Sequence, residues 1–182
     1  MVYIILGTGF EESEAVIPCD LLRRAGVDVQ LAGIGGTKIR SSHGITVQTD
    51  CAVEDMQPAR AEMIVLPGGL GGVQSIRNCP AALAAVRSLY AQGCYVAAIC
   101  AAPTILAELG ITDGRSATCY PGMEEQMGDA KLCTCDAVTD GKIITGRAAG
   151  AAFDFGLALV EALCGAETAK RVAAEVVYGK DA

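Results

Sequence analysis

An α/β fold built on a parallel, doubly wound sheet is predicted by three observations. Short apolar runs alternate with helix-patterned segments along the chain. Hydrophobic residues make up 52% of the 182 residues and charged ones only 19%, a composition that suits a sheet covered on both faces. Most of the strand-like runs end in glycine-bearing segments, where the carboxyl ends of parallel strands build sites.

The elements follow in order. Residues 2–6, Val-Tyr-Ile-Ile-Leu, read as the first strand. A helix follows with Glu14, Ile17, Leu21, Leu22 and Ala25 on its stripe, and Gly26 stops it. Pro18 lies inside that helix, where it removes a hydrogen bond and bends the axis. Residues 27–32 form the second strand. Residues 38–49 alternate after a Gly35-Gly36 turn and read as a hairpin excursion. Residues 63–66 are a short buried strand, and a helix over 81–91 leads into a strand over 95–99. Residues 143–145 are a late strand. A helix over 153–163 ends at Gly165, and a last helix spans 166–177. No linker, repeat or low-complexity segment interrupts the series, so 1–182 is expected to be one domain.

The net charge of −7 argues against binding a phosphate backbone, and no Lys/Arg cluster offsets it. No run is long enough to span a membrane; Glu161 interrupts the apolar stretch over 156–160. The N-terminus lacks a basic region and its apolar run is too short for a secretion signal. Neither nucleic acid nor membrane is expected as a partner, and a cytoplasmic location is. Nine cysteines are then expected as reduced thiols. Cys133-Thr134-Cys135 is the close pair. Two thiols two apart on a strand point the same way, which suits a metal or a strained bridge. With no second Cys or His pair nearby, they read as two small strand residues, and neither metal nor cofactor is expected.

The stretch over 96–106, Val-Ala-Ala-Ile-Cys-Ala-Ala-Pro-Thr-Ile-Leu, carries the chemistry. Cys100 stands where a strand ends and a helix begins, lifted from the sheet beside free backbone N–H groups. There a thiol is expected to titrate below its ordinary value and to act as a nucleophile. Glu14 lies on the apolar stripe of the first helix, where a carboxyl tends to hold its proton. It then suits a hydrogen-bond donor or general acid–base beside the thiol. Glu11 and Glu12 suit the helix dipole alone. The paired glycines Gly68-Gly69 let backbone come close, and their N–H groups with that of Ala101 suit an oxyanion hole. Gly7-x-Gly9 opens like a dinucleotide fingerprint, but Glu12 replaces the third glycine and acids there repel pyrophosphate, which excludes a nucleotide.

Taken together, Gly-Phe-Glu-Glu-Ser-Glu-Ala-Val-Ile-Pro, Leu-Pro-Gly-Gly, Ala-Ala-Ile-Cys-Ala-Ala-Pro and Thr-Gly-Arg-Ala-Ala-Gly closely resemble the ThiJ/PfpI superfamily. The nearest branch is that of the parkinsonism-associated protein deglycase and its bacterial ThiJ-like relatives. The resemblance covers nearly the whole chain. It implies a flavodoxin-like three-layer sandwich with a nucleophile elbow, and a homodimer. It implies Cys100 as the reactive cysteine, Glu14 as its acid partner, and Gly69 and Ala101 as oxyanion donors. It implies a cofactor-independent glyoxalase or deglycase acting on small 2-oxoaldehydes or on glycated proteins, within oxidative-stress and chaperone roles. The alternative it implies is a non-enzymatic redox sensor or chaperone whose Cys100 is oxidised to sulfenic or sulfinic acid.

The departures are specific. The protease branch has a histidine after its cysteine, where this chain has Ala101. The deglycase branch has His-Pro near the cysteine, where this chain has Tyr120-Pro121. Cysteine peptidase and glutamine amidotransferase activities therefore lack their base. Ala102 replaces a glycine, and Arg147-Ala148-Ala149-Gly150 replaces Arg-Gly-Pro-Gly at the pocket rim. By this alignment Tyr120, Cys119 and Arg147 are expected at the pocket, Cys119 as a small strand residue or a resolving thiol. His43, the single histidine, reads as a solvated loop residue, or one that reaches the site of a partner subunit.

Overall fold

The computed structural model describes residues 1–179. Its strands are β1 (Val2–Leu6), β2 (Val29–Gly33), β3 (Lys38–Arg40), β4 (Thr46–Gln48), β5 (Cys51–Ala52), β6 (Met63–Leu66), β7 (Tyr95–Ile99), β8 (Ser116–Ala117), β9 (Lys131–Leu132), β10 (Ala137–Asp140) and β11 (Ile143–Gly146). Its helices are α1 (Glu12–Arg24), α2 (Leu70–Arg77), α3 (Pro80–Ala91), α4 (Pro103–Glu108), α5 (Ala152–Cys164) and α6 (Ala166–Glu175).

Seven strands form one sheet in the order β10-β11-β7-β6-β1-β2-β5. All pairs are parallel except β10–β11, so the sheet is mixed at one edge. Alternate side chains of β1 divide between two cores. Tyr3 and Ile5 pack with α2, α3 and α4, while Val2, Ile4 and Leu6 pack with α1, α5 and α6. This division is the period of two in a strand buried on both faces. It makes three layers, as the α/β expectation required.

The order reverses at β1, which has β2 on one side and β6 on the other. A crevice therefore opens above the carboxyl ends of β1 and β6. β7 lies next to β6, so the residue after Ile99 arrives at the same end. The β3–β4 hairpin folds over this end, tied by the Gly9 N–H to the Arg40 carbonyl at 2.8 Å and the Ser42 N–H to that of Phe10 at 2.8 Å.

Two local readings change, while Pro18 stays inside α1 as expected. Residues 70–77 form α2 despite Gly71 and Gly72; a Cβ at Gly72 would lie 2.7 Å from Phe10 Cα, so close packing rather than helix propensity explains these glycines. Cys133 and Cys135 lie in a coil between β9 and β10 rather than on a strand.

Candidate functional site

Cys100 has φ +66°, a left-handed conformation that costs a non-glycine residue of order 1–3 kcal/mol and persists only where the surroundings enforce it. Two backbone bonds do so. The Cys100 N–H donates to Gly146 at the end of β11 (2.9 Å), and its carbonyl accepts from the Tyr120 N–H (2.8 Å). The chain then turns through Ala101 and Ala102 into α4. The side chain is thereby held above the sheet, half-buried.

The buried α1 stripe carries Glu14 to the same place; its side chain is fully buried. Its Oε2 accepts the Gly68 N–H at 2.8 Å. Its Oε1 has no hydrogen-bond partner, and the carboxyl and the Cys100 thiol lie close enough to act on each other. Gly68 has to be glycine: a Cβ there would lie 2.5 Å from Glu14 Oε2 and 2.7 Å from Cys100 Cβ. Gly69 has φ +80° and caps α2. The N–H groups of Gly69 and Ala101 are directed at the Cys100 sulfur.

Burial pushes the Glu14 carboxyl up to about 7. Burial first, then the charge and hydrogen bonding of Glu14, push the Cys100 thiol up to about 12, against the pull of the two N–H groups. This corrects the expectation of a thiol below its ordinary value. The elbow supplies N–H donors, but a neighbouring carboxylate in a low dielectric outweighs them. Between these values the pair holds a single proton, shared by carboxyl and thiol.

Cys100 faces a cavity of about 520 Å³ whose wall also includes Gly69, Leu70, Ala101, Tyr120 and His43, with Glu14 buried behind it. Tyr120 is therefore where the sequence expects it. His43 sits at the mouth of its own chain's cavity, so no partner subunit is needed to bring it there. Its Nδ1 is 3.2 Å from Glu12 Oε1 and 3.7 Å from Glu11 Oε2. Ser42 Oγ bridges the same two carboxylates at 3.1 and 3.2 Å. The hydrogen bond to Glu12, then the charges of Glu12 and Glu11, raise the imidazole above its ordinary value.

Cys119 and Arg147 are not at this cavity. They line a separate one of about 350 Å³ with Thr118, Glu124, Cys133 and Thr134. Cys119 packs with Ala117 and Met127, which fits a small buried residue rather than a resolving thiol. The segments meet as expected, the Tyr120 N–H reaching the Cys100 carbonyl, but Cys119 lines the second cavity and not the one at the elbow. Sequence reading missed Glu11, Leu70 and Met123 as cavity residues. The single histidine, set in a Ser-Ser-His-Gly turn, was the available signal for Glu11, because the hairpin that carries it closes over the Glu11 loop. Among the described residues no helix is long and apolar enough to cross a membrane.

Known proteins resemble this chain over most of its length. The chain is 38% identical to protein dj-1beta of Drosophila melanogaster, over 93% of this chain and 92% of that one. It is 37% identical to the Parkinson disease protein 7 homolog of Danio rerio, over 96% and 95%. It is 33% identical to a deglycase of Pyrococcus abyssi, over 82% and 90%. The crystal structure of Drosophila DJ-1beta superposes with TM-score 0.93 at 35% identity, covering 98% of this chain and 97% of that one. The family profile described as DJ-1/PfpI matches residues 1–162, and with the buried Glu14–Cys100 pair at a left-handed elbow this places the chain in the DJ-1/PfpI family.

Proposed function

We propose that this DJ-1-type stress-response protein is a cofactor-independent glyoxalase or deglycase that acts on reactive 2-oxoaldehydes or their protein adducts through Cys100 and Glu14. The observation that carries the reading is the one-proton pair. At neutral pH a carboxyl near 7 both takes and returns a proton, and the sulfur beside it already faces two N–H donors.

The steps balance without an oxidant. With the shared proton on Glu14, the Cys100 thiolate adds to the aldehyde carbon and a C–S bond forms. The oxyanion accepts from the Gly69 and Ala101 N–H groups and takes the proton from Glu14. The Glu14 carboxylate then removes the proton on that carbon and returns it to the neighbouring carbonyl carbon, while the hydroxyl proton passes to that neighbour's oxygen and the first carbon becomes the carbonyl. The product is a thioester of a 2-hydroxy acid. Water cleaves the C–S bond, releasing the acid and the thiol. His43 and Tyr120 at the mouth serve as hydrogen-bond donors to the substrate carbonyls. In a hemiaminal adduct the same carbon already bears a hydroxyl and a protein amine; the C–S bond forms as the C–N bond breaks, and the amine leaves with the proton from Glu14. The exposed apolar side chains of Val16 on α1 and of Ile45 between β3 and β4 support a homodimer, which light scattering tests directly.

The test is methylglyoxal turnover to lactate. Cys100→Ser is expected to abolish it, and Glu14→Gln to reduce it by 10²-fold or more, the scale of a lost general acid–base. His43→Ala is expected to raise KM more than it lowers kcat. Turnover unchanged in Cys100→Ser defeats the reading. A second reading rests on the relative whose crystal structure is described as oxidised Toxoplasma gondii DJ-1, 32% identical: Cys100 as a peroxide sensor, its sulfinic acid held by Glu14 and the two N–H groups. Absence of turnover in the intact protein, with a 2-oxygen mass gain on Cys100 under peroxide, selects it.

A further inference from the structure

The cavity at Cys100 has two walls of opposite character. Glu11, Ser42 and His43 form one of them. They come from the loop after β1 and from the β3–β4 hairpin. Leu70, Tyr120 and Met123 form the other. The Tyr120 N–H reaches the Cys100 carbonyl at 2.8 Å, and the Met123 N–H reaches the Tyr120 carbonyl at 3.1 Å. Their segment is tied to β11 by the Thr118 N–H, which donates to Thr145 Oγ1 at 2.9 Å. In the order β11-β7-β6-β1-β2, the polar residues therefore arrive from the β1 side of the cavity, and Tyr120 and Met123 from the β7 side. Leu70 opens α2 directly after the left-handed Gly69. It is 72% exposed, and Tyr120 is 46% exposed. Apolar surface left in water beside a reactive group marks a place where a ligand buries its hydrocarbon part.

We infer that this site selects 2-oxoaldehydes whose ketone carbon carries a bulky hydrocarbon group, with Leu70 as the specificity-determining residue. The inference rests on the glyoxalase reading above and names its substrate class. With the aldehyde carbon at the Cys100 sulfur and its oxygen at the Gly69 and Ala101 N–H groups, the ketone oxygen needs a hydrogen-bond donor. The wall that carries His43 supplies one. The substituent on the ketone is then left to Leu70, Met123 and the Tyr120 ring. Size points the same way. Methylglyoxal presents a single methyl group there and fills a small part of about 520 Å³, a volume in the range of cavities that hold much larger ligands. Charge excludes other substituents. The Glu11 and Glu12 carboxylates beside His43 oppose an anionic one. Leu70 and Met123 offer no hydrogen bond to a polyhydroxylated one, whose hydroxyls would lose water unpaired. Each methylene buried against the apolar wall raises affinity about fourfold. The bond-making steps at Cys100 are the same for every substituent.

The experiment compares kcat/KM for isobutylglyoxal and for methylglyoxal in the full chain. Both are alkyl 2-oxoaldehydes, so the comparison isolates the substituent. Isobutylglyoxal is expected to be favoured by about tenfold or more. Leu70→Ser is expected to cut that preference about fivefold, through a higher KM for isobutylglyoxal. Leu132→Ser removes another exposed leucine, one that lines the second cavity, and is expected to keep the preference. Position 70 is exposed at the start of a helix, where serine is well tolerated, and an unchanged circular dichroism spectrum separates lost selectivity from lost folding. Equal kcat/KM for the two substrates, in a protein that turns over methylglyoxal, overturns the inference and leaves the glyoxalase reading standing. A preference that Leu70→Ser leaves unchanged also overturns it. No turnover of either substrate by the intact protein defeats the glyoxalase reading itself, and the inference with it.

Discussion

At the residue scale, the site turns on one proton held between two side chains. Neither Glu14 nor Cys100 titrates alone, because each charge raises the cost of the other in a buried place. From about pH 7 upward the pair has lost one of its two protons, and a fraction of the sulfur becomes thiolate with the proton on Glu14. Iodoacetamide alkylation of Cys100 is therefore expected to rise through a step near pH 7. Glu14→Gln removes the charge and the hydrogen bond that, with burial, push the thiol to about 12, leaving burial against the pull of the Gly69 and Ala101 N–H groups. That variant is expected to lose the step and show one titration, below about 12 and above the ordinary thiol range. A single ordinary thiol titration in both proteins would sink the shared-proton account. The identities of Cys100 and Glu14 were legible in the sequence, one from its strand–helix junction and one from an apolar stripe. The direction of the thiol shift was not, because it depends on how closely a carboxyl from residue 14 approaches residue 100.

At the element scale, α1 positions Glu14 by resting on α5. The contact is close because Gly156 presents no side chain: a Cβ there would lie 2.7 Å from Leu21 Cδ1 and 3.2 Å from Pro18 Cα. Gly156→Val is expected to push α1 outward and destabilise the protein by about 1–3 kcal/mol, the usual cost of overpacking. It is also expected to lower turnover at saturating substrate more than tenfold while the Cys100 elbow stays intact. Thermal unfolding beside turnover checks this; full activity with lower stability would show that α1 does not position the carboxyl. The buried strands β1, β6 and β7 were legible because a strand covered on both faces is a continuous apolar run. The helix α2 and the edge strands β5 and β10 were not. The glycines of α2 lower its helical signal, and half-buried edge residues carry no clear period. The Cys133/Cys135 segment was misread for the same reason: small residues with apolar neighbours look like a strand until the chain is seen to leave the sheet.

At the scale of the whole molecule, the buried carboxyl links stability to pH. Glu14 holds its proton to about pH 7 in the folded chain, against an ordinary value of 4.5. Below 4.5 both states are protonated and burial of the group carries no charge penalty. As pH rises from 4.5 to 7 the unfolded chain ionises first, so stability falls, by about 3 kcal/mol in all. Above 7 the loss is complete. Glu14→Gln keeps the Gly68 hydrogen bond and is expected to remove this fall, so its melting temperature should exceed that of the parent by several degrees at pH 8 and converge with it near pH 4.5. The raised His43 and the lowered Asp140 act equally in both proteins, so the difference isolates Glu14. Parallel melting curves across that range would refute the linkage.

The sequence by itself determined the α/β class, the strand–turn–helix junction at Cys100, the buried place of Glu14 and the family resemblance, because all of these are written in local apolar patterns and short contiguous motifs. The tertiary structure alone decided which loops meet. It put the single histidine at the mouth of its own chain's cavity and moved Cys119 and Arg147 to a second cavity. It also reversed the expected shift of the Cys100 thiol. The physical reason is common to these cases: a side chain's charge and chemistry depend on neighbours a few ångströms away that are tens of residues distant along the chain, and only the packing of the sheet fixes which neighbours those are.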